Sequence, residues 1–236
     1  MLRAGVIGLG DMGSGLAKNL IKNGITTTGL DLNDERMNAF VEMRGTPAGS
    51  VAELGTNSDA VFVMVMNGIQ AKAVILGDDG LVAHMPKGGA VILTATIKPS
   101  EARYIGTALE GSGIHLIDSP VSGGFPGAQA GTLTMMAAAT SEVLDQYKPI
   151  MDAVSKTIHR VGTQAGDGQV MKSCLQTLIG SIFGATFEAA ALAAKAGVSG
   201  QALYDVFSTS GASCGVANGA LENIIDRKFE AVSYTH

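Results

Sequence analysis

Apolar runs alternate with segments of helical periodicity through the first two thirds of this chain. Such runs, when continuous, are typical of strands buried on both faces of a parallel sheet. The predicted strands cover residues 4–7, 25–30, 60–66, 90–93, 114–117 and 133–138, with an edge strand at 156–161. The predicted helices begin near residue 11 and at 69–76, 99–110 and 142–153, and a Pro- and Gly-rich loop runs from 118 to 131. This alternation predicts an α/β fold with a Rossmann-type, doubly wound sheet.

The pattern changes at Gly162, after which no strand is predicted. From about 168 to 196 the chain is rich in Ala and has no helix breaker other than isolated glycines. It therefore predicts one helix about 43 Å long at about 1.5 Å per residue. Two shorter helices are predicted at 198–208 and 216–227. We thus expect a Rossmann domain at 1–162 and an all-α domain at 163–236, beginning with a long interdomain helix.

Composition narrows the class of protein. The 236 residues carry a formal net charge of −5 and no basic cluster, so nucleic acid is not an expected partner. Cys174 and Cys214 are far apart, which argues against a zinc site or a disulfide framework and suits a reducing cytoplasm. The chain starts without a signal-peptide pattern, and its longest apolar stretch, 174–187, is too short to span a bilayer. The expected localisation is cytoplasmic, with no membrane partner.

A glycine-rich turn directly follows the first predicted strand. The sequence there reads Gly8, Leu9, Gly10, Asp11, Met12, Gly13. A G-x-G-x-x-G motif alone is weak, but strand, glycine turn and helix in this order are what a dinucleotide pyrophosphate requires. The first glycine allows the sharp turn, the second allows close approach of the phosphates and the third lets the helix pack on the strand. A glycine turn in some other α/β protein is the alternative.

Asp31 follows the second predicted strand, 18 residues after Gly13. A carboxylate at this place accepts hydrogen bonds from the adenosine ribose hydroxyls. It would repel the additional phosphate of NADP, and Arg36 is the only cation nearby. The predicted cofactor is therefore NAD.

Two further segments carry candidate chemistry. Ser122 with the N–H groups of Gly123 and Gly124 follows a buried strand and could hold a carboxylate, although an ordinary Pro/Gly turn is equally compatible with the spacing. Lys172 lies in the first turns of the long helix, where the two predicted domains meet. Desolvation and the helix dipole would lower its pKa and make it a candidate acid/base, with Gln176 one turn later on the same face. By residue type alone, a solvated surface lysine is the more common situation.

Three motifs in order resemble those of the β-hydroxyacid dehydrogenase family, and the resemblance extends over nearly the whole chain. They are the glycine turn with Asn19, Leu20 and Gly24, then 119–124 with Ala128, Gly131 and Met135, and then Gly166-Asp167-Gly168 with Lys172. The resemblance implies that Lys172 is the general acid/base and that Ser122, Gly123 and Gly124 bind the substrate carboxylate. It places Thr96 near both nicotinamide and substrate, Val65 and Met66 along the cofactor, and Gln176 against a substrate hydroxyl.

The chain departs from the family pattern in two ways. Gln176 stands where most members have Asn, which suggests a different substrate, and the threonate-type members look most similar. A later lysine motif and further helices are absent, so we expect an incomplete helical domain and a homo-oligomer that covers its apolar faces. The predicted function is an NAD-dependent dehydrogenase of a small hydroxy acid, without a metal. A non-catalytic or truncated dinucleotide-binding protein is the alternative. The segment around Lys172 agrees less well with 6-phosphogluconate dehydrogenase and with the imine reductases.

Overall fold

A nine-stranded sheet forms the centre of the N-terminal unit in a computed structural model that describes residues 2–228. The strands are β1 (Ala4–Ile7), β2 (Thr27–Leu30), β3 (Thr46–Pro47), β4 (Ala60–Val63), β5 (Ala90–Leu93), β6 (His115–Asp118), β7 (Val121–Ser122), β8 (Leu133–Ala138) and β9 (Ser155–Gly162). The helices are α1 (Asp11–Lys22), α2 (Asp34–Glu42), α3 (Val51–Thr56), α4 (Gly68–Leu76), α5 (Leu81–His84), α6 (Pro99–Leu109), α7 (Gly124–Ala130), α8 (Ser141–Asp152), α9 (Asp167–Lys195), α10 (Gly200–Thr209) and α11 (Gly215–Ile225).

The strand order identifies the topology. Neighbours follow the order β3-β2-β1-β4-β5-β6-β8-β7, and β9 pairs with β8. The first six strands of this order are parallel, and β8 runs antiparallel to β6 and β7. The strand order reverses at β1 and β4, and ligands of doubly wound sheets bind at the carboxyl ends of the strands beside such a reversal. The prediction of a Rossmann-type doubly wound sheet is confirmed.

Two apolar cores cover the two faces of the sheet. Successive side chains of β1 belong to different cores. Val6 contributes to the core under α1, α2 and α8, whereas Ile7 contributes to the core under α3 to α6. Each strand from β1 to β5, apart from the short β3, is buried over nearly all its residues. This explains the continuous apolar runs from which the strands were predicted.

The segment 118–131 is where the prediction was wrong. Instead of a continuous loop, the structure forms the short strand β7 and the helix α7. The helix is fixed by tertiary packing, because Asn19 on α1 donates from Nδ2 to the carbonyl of Ala128 at 2.9 Å. Gly15 approaches the same residue so closely that a Cβ on it would lie 2.6 Å from the Ala128 carbonyl carbon. Contacts of this kind leave no periodicity in a Gly- and Pro-rich sequence.

The chain divides into two compact units, Met1–Lys172 and Ser173–His236. The predicted boundary at residue 162 remains a prediction. Within the second unit, Tyr204 on α10 donates to Glu222 on α11 at 2.7 Å, and Leu221 is 1% exposed. The helix α9 is the predicted long helix, with 29 residues.

The helix α9 also meets a length and composition criterion for crossing a membrane. Its most apolar 18-residue window has a mean hydropathy of 1.5, and 6% of that window is buried in the structure. A single helix of this kind is weak evidence, because core helices of water-soluble proteins meet the same criterion. The expectation that no membrane is involved therefore remains a prediction.

Candidate active site

The turn between β1 and α1 can accommodate only glycine at two of its positions. Gly8 has a φ of +90°, and a Cβ there would lie 2.2 Å from the carbonyl oxygen of Met64. A Cβ on Gly13 would lie 1.7 Å from the carbonyl oxygen of Gly8. The first contact fixes the turn against the end of β4, and the second brings α1 directly onto the turn. This is the close packing expected of a dinucleotide-binding motif.

The N-terminus of α1 is open to an anion. Gly10 is its N-cap residue, and no side chain caps the helix. Asp11 at the first position is exposed and Met12 is half-buried. The first N–H groups of a helix lack partners within the helix, and its dipole places partial positive charge there. The turn is therefore suited to the pyrophosphate of a dinucleotide.

Asp31 is tied to the glycine turn. Its Oδ2 accepts a hydrogen bond from the N–H of Leu9 at 2.7 Å, and its Oδ1 accepts from the N–H of Asn33 at 2.9 Å. Arg36 approaches Oδ2 to 3.5 Å, and its guanidinium group would be 3.7 Å from a Cβ on Gly10. The carboxylate is thus held at the end of β2, in the position predicted to face the adenosine ribose.

Val65 and Met66 follow β4 beside the same turn. The carbonyl of Met64 lies against Gly8, which brings this segment next to the predicted phosphate site. Val65 is half-buried, whereas Met66 is 56% exposed. The N–H of Met66 donates to Oε1 of Gln70 at 3.0 Å. The segment is therefore adjacent to the turn, as a lining of the cofactor site requires.

Ser122 ends the short strand β7, where it pairs with Thr134 of β8. Ser122 is half-buried, and Gly123 and Gly124 are exposed. The φ of Gly123 is +129°, which is accessible to glycine and strained for other residues. The exposed backbone after Ser122 offers N–H groups to a carboxylate.

Lys172 is buried rather than solvated on the helix surface. It is 9% exposed, and its Nζ donates a hydrogen bond to the carbonyl oxygen of Val121 at 2.8 Å. Burial lowers the pKa of this lysine, because the charged form loses hydration. The nitrogen of Lys172 is thus held at the residue directly before Ser122. The structure brings these two predicted site residues together.

Thr96 lies in the loop after β5 and is exposed between two buried neighbours, Ala95 and Ile97. The side-chain amide of Gln169 hydrogen-bonds to the backbone on both sides of it. Gln169 in turn contacts the carboxylate of Asp118 at 2.9 Å. Gln169 and Asp118 were not among the predicted site residues. Their signals were the position of Asp118 at the end of a buried strand and the position of Gln169 three residues before Lys172.

Gln176 belongs to the second unit and is exposed. Its predicted contact with substrate remains a prediction. Among the residues that the structure describes, no group of three or more His, Cys, Asp and Glu side chains could hold a metal ion.

Comparison with known proteins decides the family. Residues 3–162 match the NAD-binding domain of 6-phosphogluconate dehydrogenase, and residues 166–235 match the NAD-binding domain of NADP-dependent 3-hydroxyisobutyrate dehydrogenase. The chain is 34% identical to an L-threonate dehydrogenase of Escherichia coli O6:H1 over 94% of its own length and 74% of that protein. The chain belongs to the β-hydroxyacid dehydrogenase family.

Two further relatives are consistent with this assignment. An NAD-dependent L-serine dehydrogenase of Pseudomonas aeruginosa is 34% identical over 89% of this chain and 70% of that protein. The crystal structure of a 3-hydroxyisobutyrate dehydrogenase from Salmonella typhimurium superimposes with a TM-score of 0.89 at 31% identity, covering 99% of this chain and 81% of that one. The predicted cofactor, NAD, and the predicted reaction class, oxidoreduction of a hydroxy acid, are confirmed.

Proposed function

We propose that this member of the β-hydroxyacid dehydrogenase family oxidises a small, polyhydroxylated hydroxy acid of the threonate type, with Lys172 as general acid/base. The observation that carries the proposal is the hydrogen bond from Lys172 Nζ to Val121, which fixes the amine beside Ser122. The chain's similarity to L-threonate dehydrogenases supports the substrate class. A substrate of the 3-hydroxyisobutyrate type is the second candidate, supported by another relative.

The proposed site residues fall into a group that binds substrate and a group that binds the cofactor. The N–H groups of Gly123 and Gly124 and the hydroxyl of Ser122 bind the substrate carboxylate, and Thr96 and Gln176 contact the rest of the substrate. The glycine turn binds the pyrophosphate, Asp31 binds the ribose, and Val65 and Met66 line the cofactor. These roles orient the reacting carbon before the chemical step, which is a large source of rate acceleration.

The chemical step requires Lys172 in its neutral form. NAD, when bound, accepts the hydride from the carbinol carbon. Neutral Lys172 accepts the hydroxyl proton as the C–H bond breaks, so the alcohol becomes a carbonyl and the amine becomes an ammonium group. Burial supports this role because it lowers the pKa of Lys172 towards the working pH. The ammonium group of Lys172 then passes its proton to solvent, which restores the neutral amine.

Parallel measurements of NAD binding and NAD reduction test the proposal. Calorimetry gives the affinity for NAD, and NADH absorbance reports turnover with L-threonate, 3-hydroxyisobutyrate, glycerate and L-serine. The proposal expects binding and turnover, with L-threonate giving the highest kcat/KM. Binding without turnover of any of these acids would favour the non-catalytic dinucleotide-binding protein. A higher kcat/KM for 3-hydroxyisobutyrate would favour the second candidate.

We also propose that the chain is a cytoplasmic homo-oligomer. The helix α9 exposes large apolar side chains, among them Leu178, Phe187 and Leu192, which are 50–70% exposed. Burial of such a surface against a second copy would stabilise both copies. The thiols of Cys174 and Cys214 are free, which suits a reducing compartment. Light scattering that finds a monomer at micromolar concentration, or cell fractionation that finds the protein outside the cytosol, would contradict these proposals.

A further inference from the structure

Gln169 holds the backbone on both sides of Thr96. Its Nε2 donates to the carbonyl of Ala95 at 3.1 Å, and its Oε1 accepts from the N–H of Ile97 at 3.0 Å. The Gln169 side chain is 1% exposed, so water does not compete for these bonds. One amide thus fixes the loop that presents Thr96.

Asp118 fixes the orientation of that amide and the start of α9. Its Oδ1 accepts from Gln169 Nε2 at 2.9 Å, and its Oδ2 accepts from the N–H groups of Gly166 at 2.8 Å and Gln169 at 3.3 Å. A rotated Gln169 amide would place oxygen against the Ala95 carbonyl and against Asp118, and would place N–H against the N–H of Ile97. A single orientation therefore satisfies Ala95, Ile97 and Asp118 together.

The same helix turn carries Lys172. Residues three apart on a helix lie on one face, so Gln169 and Lys172 project from neighbouring positions of α9. Lys172 reaches Val121 from there, directly before Ser122. The Asp118–Gln169 pair is thus the common support of the loop of Thr96 and of the turn of Lys172.

We propose that Asp118 and Gln169 are positioning residues that set the placement of Thr96 relative to Lys172, without touching substrate or NAD. The proposal rests on the proposed function for the roles of Thr96 and Lys172. Burial lowers the pKa of Lys172, because the charged form loses hydration. Asp118 is itself fully buried and, within residues 2–228, forms no ion pair. Its bonds to the N–H groups of Gly166 and Gln169 hold the start of α9, and this is the route by which it positions Lys172.

The variant Gln169→Glu is the sharpest probe of the pair. It replaces Nε2 by an oxygen that faces Oδ1 of Asp118 and the carbonyl of Ala95, while the side-chain shape is kept. We expect kcat to fall by about tenfold or more, since a misplacement of about 1 Å costs up to a hundredfold. The Kd for NAD should stay within about twofold to threefold of the wild-type value. The glycine turn follows β1, whereas the loop that Gln169 holds follows β5.

A double variant separates positioning from general destabilisation. In Asp118→Asn with Gln169→Glu, the new Asn amide donates towards the new carboxylate, and its oxygen still accepts from the N–H groups at the start of α9. We expect this double variant to turn over about fivefold faster than Gln169→Glu alone, because the two sites are coupled. A double variant that turns over no faster than Gln169→Glu alone would overturn the proposal.

Two controls complete the design. Gln146→Glu makes the same chemical change on an exposed residue of α8 and should leave kcat unchanged. Leu54→Ala removes a fully buried side chain and should lower Tm while kcat per folded molecule is retained. If Gln169→Glu shows the Leu54→Ala pattern, with a lowered Tm and an unchanged kcat per folded molecule, the pair is structural and the proposal is wrong.

Hydrogen exchange gives a readout that is independent of turnover. We expect the amide of Ile97 to exchange faster in Gln169→Glu, since its acceptor partner is disturbed, and to recover protection in the double variant. Unchanged exchange at Ile97 would overturn the proposed clamp even if activity falls. A wild-type protein that turns over no hydroxy acid would refute the proposed function, and the exchange result alone would then decide whether the pair holds the loop.

Discussion

Lys172 donates from Nζ to the carbonyl oxygen of Val121 at 2.8 Å, so its amine is anchored one residue before Ser122. This contact joins two segments that are 51 residues apart in the sequence. It converts a helix lysine and a Pro/Gly turn, each ambiguous alone, into one candidate site for acid/base chemistry on a carboxylate-bearing substrate.

Removal of the amine should abolish turnover and retain the cofactor. We expect Lys172→Met to lower kcat by about a hundredfold or more, the range of general acid/base catalysis, and to leave the Kd for NAD nearly unchanged. Lys148→Ala, on an exposed lysine of α8, is the matched control and should keep full activity. A Lys172→Met enzyme as fast as the wild type would remove Lys172 from the mechanism.

The pH dependence of turnover should follow the lowered pKa of Lys172. Oxidation needs the neutral amine, so kcat/KM for oxidation should rise with pH through this pKa, at a midpoint below the 10.5 of an exposed lysine. Reduction needs the ammonium form, so its kcat/KM should fall through the same pH range. Rate profiles in both directions check this, and profiles that rise together would contradict it.

The lowered pKa of Lys172 should also make the free energy of unfolding depend on pH. Between the folded pKa of Lys172 and 10.5, the unfolded chain binds more protons than the folded one, so stability rises with pH across this interval and is lost as pH falls towards the folded pKa. We expect the free energy of unfolding of the wild type to increase with pH relative to Lys172→Met. Urea titrations at several pH values measure the difference, and parallel curves for the two proteins would count against a depressed pKa.

Asp31 should determine the preference for NAD. Asp31→Asn removes the charge that accepts the Leu9 N–H and that we propose binds the ribose, and bonds to a charged group contribute about 1.5–3 kcal/mol. We expect NAD affinity to fall by about tenfold or more and the NAD/NADP preference to decrease. Adding Arg36→Ala should cancel any gain in NADP affinity, because its guanidinium is the cation nearest to Asp31. An unchanged cofactor preference in Asp31→Asn would contradict the role of Asp31.

The glycine turn should tolerate no side chain at Gly8. Gly8→Ala and the control Gly24→Ala both place alanine at positive φ, +90° and +76°, which costs about 1–2 kcal/mol in each case. Only Gly8→Ala also forces a Cβ onto the Met64 carbonyl, whereas a Cβ on Gly24 meets nothing within 4 Å. We therefore expect Gly8→Ala to lose more unfolding free energy than Gly24→Ala. We expect NAD binding to be lost in Gly8→Ala and kept in Gly24→Ala. Equal effects of the two variants would show that the Met64 contact is unimportant.

The sequence by itself predicted the cofactor and every strand of the sheet except the two-residue strands β3 and β7. Continuous apolar runs such as 90–93 matched strands residue for residue, because a strand buried on both faces has no polar position to obscure it. The glycine turn directly after β1 and Asp31 directly after β2 predicted NAD, because each follows a strand that the apolar pattern locates. The role of Lys172 as acid/base was predicted from the family resemblance of its segment, because the periodicity of the sequence gives no sign of that role.

Tertiary structure decided the rest. The helix α7 exists because α1 packs against it, and Gly/Pro sequence gives no periodic signal for such a contact. Burial of Lys172 follows from the approach of α9 to β7, and the placement of Thr96 depends on Gln169 and Asp118 from two other elements. The side-chain hydrogen bonds of Lys172, Gln169 and Asp118 join residues 48 to 74 positions apart, the extremes being Asp118 to Gly166 and Gln169 to Ala95. Sequence patterns record local periodicity, whereas pairings at such separations are fixed only when the chain is folded.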